Sequence, residues 1–203
     1  MTLDRLRPLA DRMLEPFVAV ARRLGLSPDS VSIVAFLCAA GAAGAFYVAS
    51  ADPLWYLVGA VLVFLNGWFD LVDGALAREL DVASPGGDLL DHVLDRYADV
   101  AIIAGLAAGI GRYGIGFAAV TGVLLTSYLG TQAEAVGLDR VYGGLLGRAD
   151  RLALIGVTTA VTVVVPGPVA GGFGLVAWLL IVFAVVGHLT AVQRFYHAMR
   201  ALS

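Results

Sequence analysis

Apolar residues fill most of this chain in long blocks, and short polar or glycine-containing breaks separate the blocks. A helix that crosses the hydrocarbon core of a bilayer needs about 20 such residues. The pattern predicts six crossing helices, at residues 31–50, 54–79, 88–110, 113–136, 149–167 and 173–199. The predicted fold is therefore all-α, a six-helix membrane bundle within one domain that covers residues 1–203.

The first 25 residues follow a different pattern. Leu, Val and Phe recur at roughly helical spacing from Leu3 to Leu24, with five arginines between them. An apolar face opposite a basic face predicts an amphipathic helix over residues 1–25 that lies in the membrane interface. Pro8 and Pro16 are expected to limit or bend it. A solvated N-terminal tail is the alternative.

Composition agrees with a polytopic membrane protein. Of the 203 residues, 60% are hydrophobic and 14% are charged, whereas a soluble domain has about a quarter charged residues. All thirteen basic residues are Arg, and most fall on one side of the predicted helices, including Arg140 in the loop before the fifth helix. The loops on the other side contain only Arg112. Because cytoplasmic loops are enriched in basic residues, both termini are expected on the cytoplasmic side of the cell membrane.

Carboxylates are concentrated between Asp70 and Asp95, where seven occur. Asp70 and Asp73 are three residues apart and share one helix face, and Asp91 and Asp95, four apart, share another. The turn-forming Ser84–Gly87 lies between the two helices. Acids that converge at one depth repel each other unless a positive group lies between them, and a hard divalent cation is the natural candidate. Intramembrane acids of this kind are functional by default.

The spacing of this stretch is that of a known signature. It is Asp70-x2-Asp73-Gly74-x2-Ala77-Arg78-x8-Gly87-x3-Asp91-x3-Asp95. It resembles the signature of the CDP-alcohol phosphotransferases, with every position filled and no gap altered. The resemblance implies an enzyme of phospholipid synthesis that transfers the phosphatidyl or archaetidyl group of a CDP-linked lipid to a hydroxyl group and releases CMP.

The resemblance also implies roles for individual residues. Two divalent cations, Mg²⁺ or Mn²⁺, are expected, one bound by Asp70, Asp73 and Asp91 and the other by Asp70, Asp91 and Asp95. Asp95 is expected to act also as the general base. The residues expected to contact the CDP-lipid are Asp29, Ser32, Asp73, Gly74, Ala77, Arg78 and Ser84. Asp29 and Ser32 belong to a Ser-Pro-Asp run that also suits a helix N-cap, and the two roles are compatible.

The acceptor is indicated by the segment from Ser127 to Leu152. It resembles the branch that makes phosphatidylinositol phosphate or its archaeal ether-lipid counterpart. Arg148, Arg151 and Arg194 are similar to basic residues that bind the acceptor phosphate there, although ordinary positive-inside flanking is the alternative. Gly130 and Gln132 replace a Lys and an Arg of that branch. Inositol phosphate and glycerol phosphate are therefore both open as acceptors.

Two other functions are compatible with parts of the sequence. A related transferase would use an unphosphorylated alcohol such as serine, but three arginines favour a phosphorylated acceptor. An ion-coupled transporter also needs intramembrane acids, but near the midplane and often in inverted repeats, and no such repeat is visible. Gly105-x3-Gly109 is typical of close helix packing and weakly suggests a homodimer. No nucleic-acid partner is expected.

Overall fold

A computed structural model describes residues 7–138 and 146–203, with side chains from residue 13 onward. The described residues form seven helices, α1 (Arg7–Arg23), α2 (Pro28–Val48), α3 (Leu54–Glu79), α4 (Pro85–Gly109), α5 (Tyr113–Ala135), α6 (Arg148–Val164) and α7 (Leu175–Leu202). They contain no β-strand, only an isolated bridge between Ala170 and Phe173. The all-α prediction is confirmed for this part of the chain. Arg140 lies outside the described residues.

Two helices begin with the same Ser-Pro signal. Ser27 precedes Pro28 of α2 and accepts a hydrogen bond from the Ser30 amide, and Ser84 precedes Pro85 of α4 and accepts one from the Gly87 amide. A serine N-cap followed by proline at N1 satisfies an unpaired amide and presets the backbone. Both helices therefore start about one turn earlier than the apolar pattern predicted.

Helix α1 packs on the rest of the molecule along one face. Leu14, Val18 and Ala21 are buried against apolar side chains of α3. Pro16 lies inside the helix and does not end it. A helix therefore exists within the predicted N-terminal segment, while residues 1–6 lie outside the described part. Its location in the membrane interface stays a prediction.

The other helices form a bundle whose two ends differ. Helix α2 packs against α3 and α4, α5 against α7, and α6 against α3. The buried core includes Phe46, Ile102, Leu106, Leu180 and Phe183. Because successive helices alternate in direction, the α3–α4 turn and the beginnings of α2 and α6 meet at one end, here called the site end. Residues 49–53, 110–112 and 165–174 form the opposite, far end.

Four helices are long and apolar enough to cross a membrane, namely α2, α3, α5 and α7. Helix α4 carries four carboxylates within its first fifteen residues, and α6 has 17 residues. The predicted count of six crossing helices therefore stays a prediction for these two.

The Gly105-x3-Gly109 pair packs inside the molecule. A Cβ atom on Gly105 would lie 2.4 Å from the Ala43 carbonyl oxygen, and one on Gly109 would lie 2.1 Å from that of Phe46. Glycine at both positions lets α4 approach the backbone of α2. These residues therefore do not support the predicted homodimer, which stays a prediction.

Candidate functional site

The carboxylates of α3 and α4 converge at the site end. Asp70, Asp91 and Asp95, here called the acid cluster, each place one carboxylate oxygen within 4.8 Å of the others. Asp73 is buried one turn further along α3. It lines a small internal void that the three members of the acid cluster also line. The Ser32 hydroxyl of α2 donates a hydrogen bond to Asp73 Oδ2 at 2.6 Å. The structure thus brings all four predicted metal ligands to one place.

The acid cluster suits a hard divalent cation. Its donors are carboxylate oxygens, which Mg²⁺ and Mn²⁺ favour. Among the described residues, neither Cys nor His belongs to the cluster. His92, one residue from Asp91, instead makes a hydrogen bond through Nδ1 to the Asp88 carbonyl oxygen at 2.7 Å. The residues present therefore fit the predicted cation, and the assignment of individual ligands stays a prediction.

Arg148, the first residue of α6, lies against the acid cluster. Its Nη1 is 2.9 Å from Asp70 Oδ2, and its Nη2 is 2.7 Å from Asp95 Oδ1. Its Nε is buried and has no hydrogen-bond partner among the described residues. One arginine therefore connects α6 to both α3 and α4 and compensates part of the negative charge.

Asn66 is a site residue that the sequence analysis did not identify. It is 1% exposed, donates a hydrogen bond to the Ala35 carbonyl oxygen at 2.9 Å and accepts one from Arg148 Nη2 at 3.3 Å. A signal was available, because Asn66 is the one amide in the apolar block of α3 and lies four residues before Asp70, on the same face. Asn66 of α3 therefore links Arg148 of α6 to the backbone of α2.

Two further arginines, the buried Arg151 and the partly exposed Arg96, contact Asp99 in one network, and Arg96 Nη2 lies 3.8 Å from Asp99 Oδ2. Arg151 Nη2 lies 2.8 Å from Asp99 Oδ2, and both side chains are buried. Arg96 donates to the Ser127 hydroxyl and lies 3.4 Å from Asp95 Oδ2. Arg96 was not predicted as a site residue, although its place directly after Asp95 was a usable signal. The network fixes the side chains on the α5 and α6 side of the acid cluster.

A smaller cavity of about 380 Å³ opens on one side of the acid cluster. Most of the residues predicted to contact the CDP-lipid line it, namely Asp29, Ser32, Asp73, Gly74, Ala77 and Ser84. Asp91 also lines it. Arg78 is exposed at the end of α3 and is not among the lining residues. The contact of Arg78 with the CDP-lipid stays a prediction.

A larger cavity of about 790 Å³ opens on the other side. The three arginines predicted to bind the acceptor phosphate, Arg148, Arg151 and Arg194, all line it, together with Asp95. Arg194 reaches it from α7 and donates to the Thr126 carbonyl oxygen at 2.7 Å. Asp91 faces the smaller cavity and Asp95 the larger, so the acid cluster lies between two chambers.

The amino-acid sequence matches a known family. The family model for CDP-alcohol phosphatidyltransferase matches residues 25–190. The archaetidylinositol phosphate synthase of Methanothermobacter thermautotrophicus is 31% identical over 206 residues, which cover 98% of this chain and 95% of that protein. The phosphatidylinositol phosphate synthase of Mycolicibacterium smegmatis is 33% identical over 196 residues, which cover 93% and 84%.

The fold is similar to solved structures of the phosphatidylinositol phosphate synthase of Mycobacterium tuberculosis. The complex of that protein with manganese and citrate superposes with a TM-score of 0.76 at 26% identity, over 92% of this chain and 88% of that one. Its structure with CDP-DAG bound gives a TM-score of 0.73 at 26% identity, over 92% and 94%. The similarity thus covers both sides of the acid cluster.

The acid cluster generates a prediction about metal binding. Asp91→Asn is expected to weaken Mn²⁺ binding by at least about tenfold, because the amide retains the shape but loses the charge that a hard cation needs. Titration of the purified chain, followed by the electron paramagnetic resonance of free Mn²⁺, measures the affinity. Asp88→Asn is the matched control, since Asp88 lies on the same helix but outside the cluster. Equal Mn²⁺ affinity of Asp91→Asn and wild type would contradict the metal site.

Proposed function

Because the chain belongs to the CDP-alcohol phosphatidyltransferase family, we propose that it transfers the phosphatidyl or archaetidyl group of a CDP-linked lipid to a phosphorylated polyol and releases CMP. The chain is an enzyme of phospholipid synthesis. The placement of the acid cluster between two cavities carries the proposal. One cavity has the residues predicted for a nucleotide, and the other has arginines suited to a phosphate.

The CDP-lipid binds in the smaller cavity. Asp29 and Ser32 from the start of α2, Gly74 and Ala77 from α3, and Ser84 from the α3–α4 turn surround the nucleotide. The small side chains of α3 let a ligand approach the helix backbone. The similar Mycobacterium tuberculosis protein has been seen with CDP-DAG bound, which supports a CDP-lipid as the donor.

Asp70, Asp73, Asp91 and Asp95 would hold two divalent cations, which would supply positive charge to neutralise the diphosphate and the departing CMP. The oxygen-only donor set supports this proposal. So does manganese in the similar Mycobacterium tuberculosis structure. Mg²⁺ and Mn²⁺ both suit such ligands.

Asp95 accepts the proton of the acceptor hydroxyl. It lines the larger cavity, and its two carboxylate oxygens lie near Arg148 and Arg96, which fix its orientation. The acceptor oxygen forms a bond to the phosphorus that carries the lipid, and the bond from that phosphorus to the CMP oxygen breaks. A base held in this position needs no large movement to reach the attacking oxygen.

The acceptor is inositol phosphate. Two relatives that match nearly the whole chain are named for inositol phosphate lipids. The larger cavity has room for a polyol ring, and Arg151 and Arg194 line it. Gly130, which stands where the inositol phosphate branch has a basic residue, also lines this cavity and carries no charge. Glycerol phosphate is therefore the competing acceptor.

The bundle crosses the cell membrane six times, with the site end and both termini on the cytoplasmic side. Arg22, Arg23, Arg148 and Arg200 lie toward the site end, and Arg112 is the arginine at the far end among the described residues. Helix α4, with 25 residues, is about 38 Å long, is apolar from Val100 onward and pairs its Asp99 with Arg151, so it can span the core. Helix α1 lies in the interface, where its exposed Met13, Phe17 and Val20 contact lipid.

The acceptor assignment is tested by product analysis. Purified chain is given labelled CDP-lipid with inositol phosphate, glycerol phosphate, inositol or serine, and mass spectrometry identifies the lipid product. We expect the phosphoinositol lipid to be the main product and to form at least about tenfold faster than the products of inositol and serine, which lack a phosphate, because a charge-assisted phosphate contact is worth about 1.5–3 kcal/mol. A serine or glycerol phosphate lipid as the main product would overturn the assignment.

The orientation is tested by cysteine labelling in intact cells, in a Cys38→Ala background. Gly86→Cys at the site end should react with membrane-impermeant maleimide only after the cells are opened. Gly172→Cys at the far end should react from outside, because the arginine-rich end is retained in the cytoplasm. The two positions serve as each other's control. Labelling of Gly86→Cys in sealed cells would invert the proposed topology.

The roles of Asp95 and Asp70 are separated by comparing binding with rate. Asp95→Asn is expected to remove most of the turnover, by ~10²–10⁴-fold, since positioned base catalysis contributes about that much. It should leave much of the CDP-lipid affinity. Asp70→Asn, which is predicted to touch both cations, should reduce affinity as well as rate. If the two variants lose CDP-lipid affinity equally at saturating Mg²⁺, Asp95 is mainly a ligand and another group is the base.

A further inference from the structure

The far end of the bundle contains a cavity of about 370 Å³ that the transferase reaction does not use. It lies at the opposite end of α3 and α4 from the acid cluster. We propose that this far-end cavity is an anion site that binds the phosphate group of a membrane phospholipid. The proposal rests on the six-crossing topology proposed above, and not on the identity of the acceptor.

Arg112 supplies the positive charge of the far-end cavity. It lies in the turn between α4 and α5, lines the cavity and places its guanidinium carbon 5.3 Å from the centroid of the Phe173 ring. No ion pair to Arg112 occurs within the described part of the chain. The ring contact restrains the guanidinium but leaves its N–H groups available, since a cation–π contact uses the face of the guanidinium and not its donors.

Tyr56 supplies a second donor. It is 7% exposed and lines the same cavity, and its ring packs against Phe46. Its hydroxyl has no hydrogen-bond partner among the described residues. The ring is largely buried, but the hydroxyl oxygen stays accessible, so it is available as a donor. A phosphate oxygen in the cavity would accept this hydrogen bond.

Two helix ends beside the far-end cavity, the start of α7 and the end of α4, differ in how their backbone groups are hydrogen-bonded. Helix α7 begins after Gly174 without a side-chain cap, and Gly174 to Ala177, its first turn, line the cavity. The end of α4 is instead closed, because Gly111, with φ of 66°, lets the amides of Gly111 and Arg112 donate to the Ala108 and Ala107 carbonyl oxygens. The first turn of α7, whose amides have no partner within the helix, thus borders the cavity, while these α4 carbonyls are satisfied, and the positive end of a helix favours an anion.

The surroundings favour a lipid phosphate over a free one. Val165, Phe173 and Val176 form apolar walls beside the polar groups. The volume is far larger than a phosphate ion and falls in the usual range of ligand pockets, roughly 300–1,000 Å³. In the proposed topology the cavity lies at the outer membrane surface, where phospholipid headgroups are the most concentrated phosphates.

The experiment uses the full chain in neutral detergent with added phosphatidylglycerol, and native mass spectrometry measures the lipid that stays bound. Arg112→Gln is expected to bind one lipid about tenfold more weakly than wild type, and Tyr56→Phe about threefold more weakly. Arg200→Gln is the matched control, because Arg200 also lies over an aromatic ring, Tyr196, at 5.7 Å, but at the site end. It should bind lipid as wild type does.

Three results would overturn the proposal. These are equal lipid binding by Arg112→Gln and wild type, an equal loss in Arg200→Gln, and displacement of the lipid by inorganic phosphate at the same concentration. The last would identify a site for soluble anions.

Turnover of Arg112→Gln should equal that of wild type, which also shows that the variant is folded. If Arg112→Gln does not fold, Arg112→Lys should retain lipid, and Tyr56→Phe should bind it more weakly than wild type. Lipid retention by Tyr56→Phe equal to that of wild type would then overturn the proposal. Lipid retention does not depend on the acceptor, so this test and that of the transferase fail separately.

Discussion

Compensation of negative charge at the site end is the constraint on which the rest of the structure depends. Two like charges about 4 Å apart repel by roughly 4 kcal/mol at the effective dielectric constant near a protein surface. The acid cluster assembles three carboxylates at such distances. Arg148 meets two of them, and cations supply the remaining positive charge in the proposed mechanism. The helix ends must therefore converge where solvent and ions still reach.

The short helix α6 is shaped by this need. Its first turn carries Arg148 and Arg151, and its later residues pack among apolar helices. Arg148 is joined to the acid cluster and to Asn66, and Arg151 to Asp99. Breaking a buried pair by removing one partner is strongly destabilising, because the other charge is left uncompensated. The same contacts that hold α6 in the bundle thus also place the arginines of the larger cavity.

The two cavities explain how so small a chain carries out a two-substrate transfer. The smaller cavity, proposed for the nucleotide, is built from α2, α3, the α3–α4 turn and the first turns of α4, whereas the larger cavity, proposed for the acceptor, is built from α4 to α7. Only α4 contributes carboxylates to both, since Asp91 faces one chamber and Asp95 the other. A one-turn step along a helix therefore separates donor from acceptor, and polar substrates meet at the membrane surface without a soluble domain.

The sequence alone determined the helical class and the four metal-ligand candidates, because spacings of three and four residues within a helix place side chains on one face. The resemblance of the same stretch to a known signature indicated the family. The family is confirmed. Arg148, Arg151 and Arg194 line one cavity, and their binding of the acceptor phosphate stays a prediction. Tertiary structure alone decided that Asn66 and Arg96 join the site and that Gly105 packs on α2. The physical reason is that these contacts join helices far apart in sequence, and a pattern within one helix carries no information about which neighbour its face will meet.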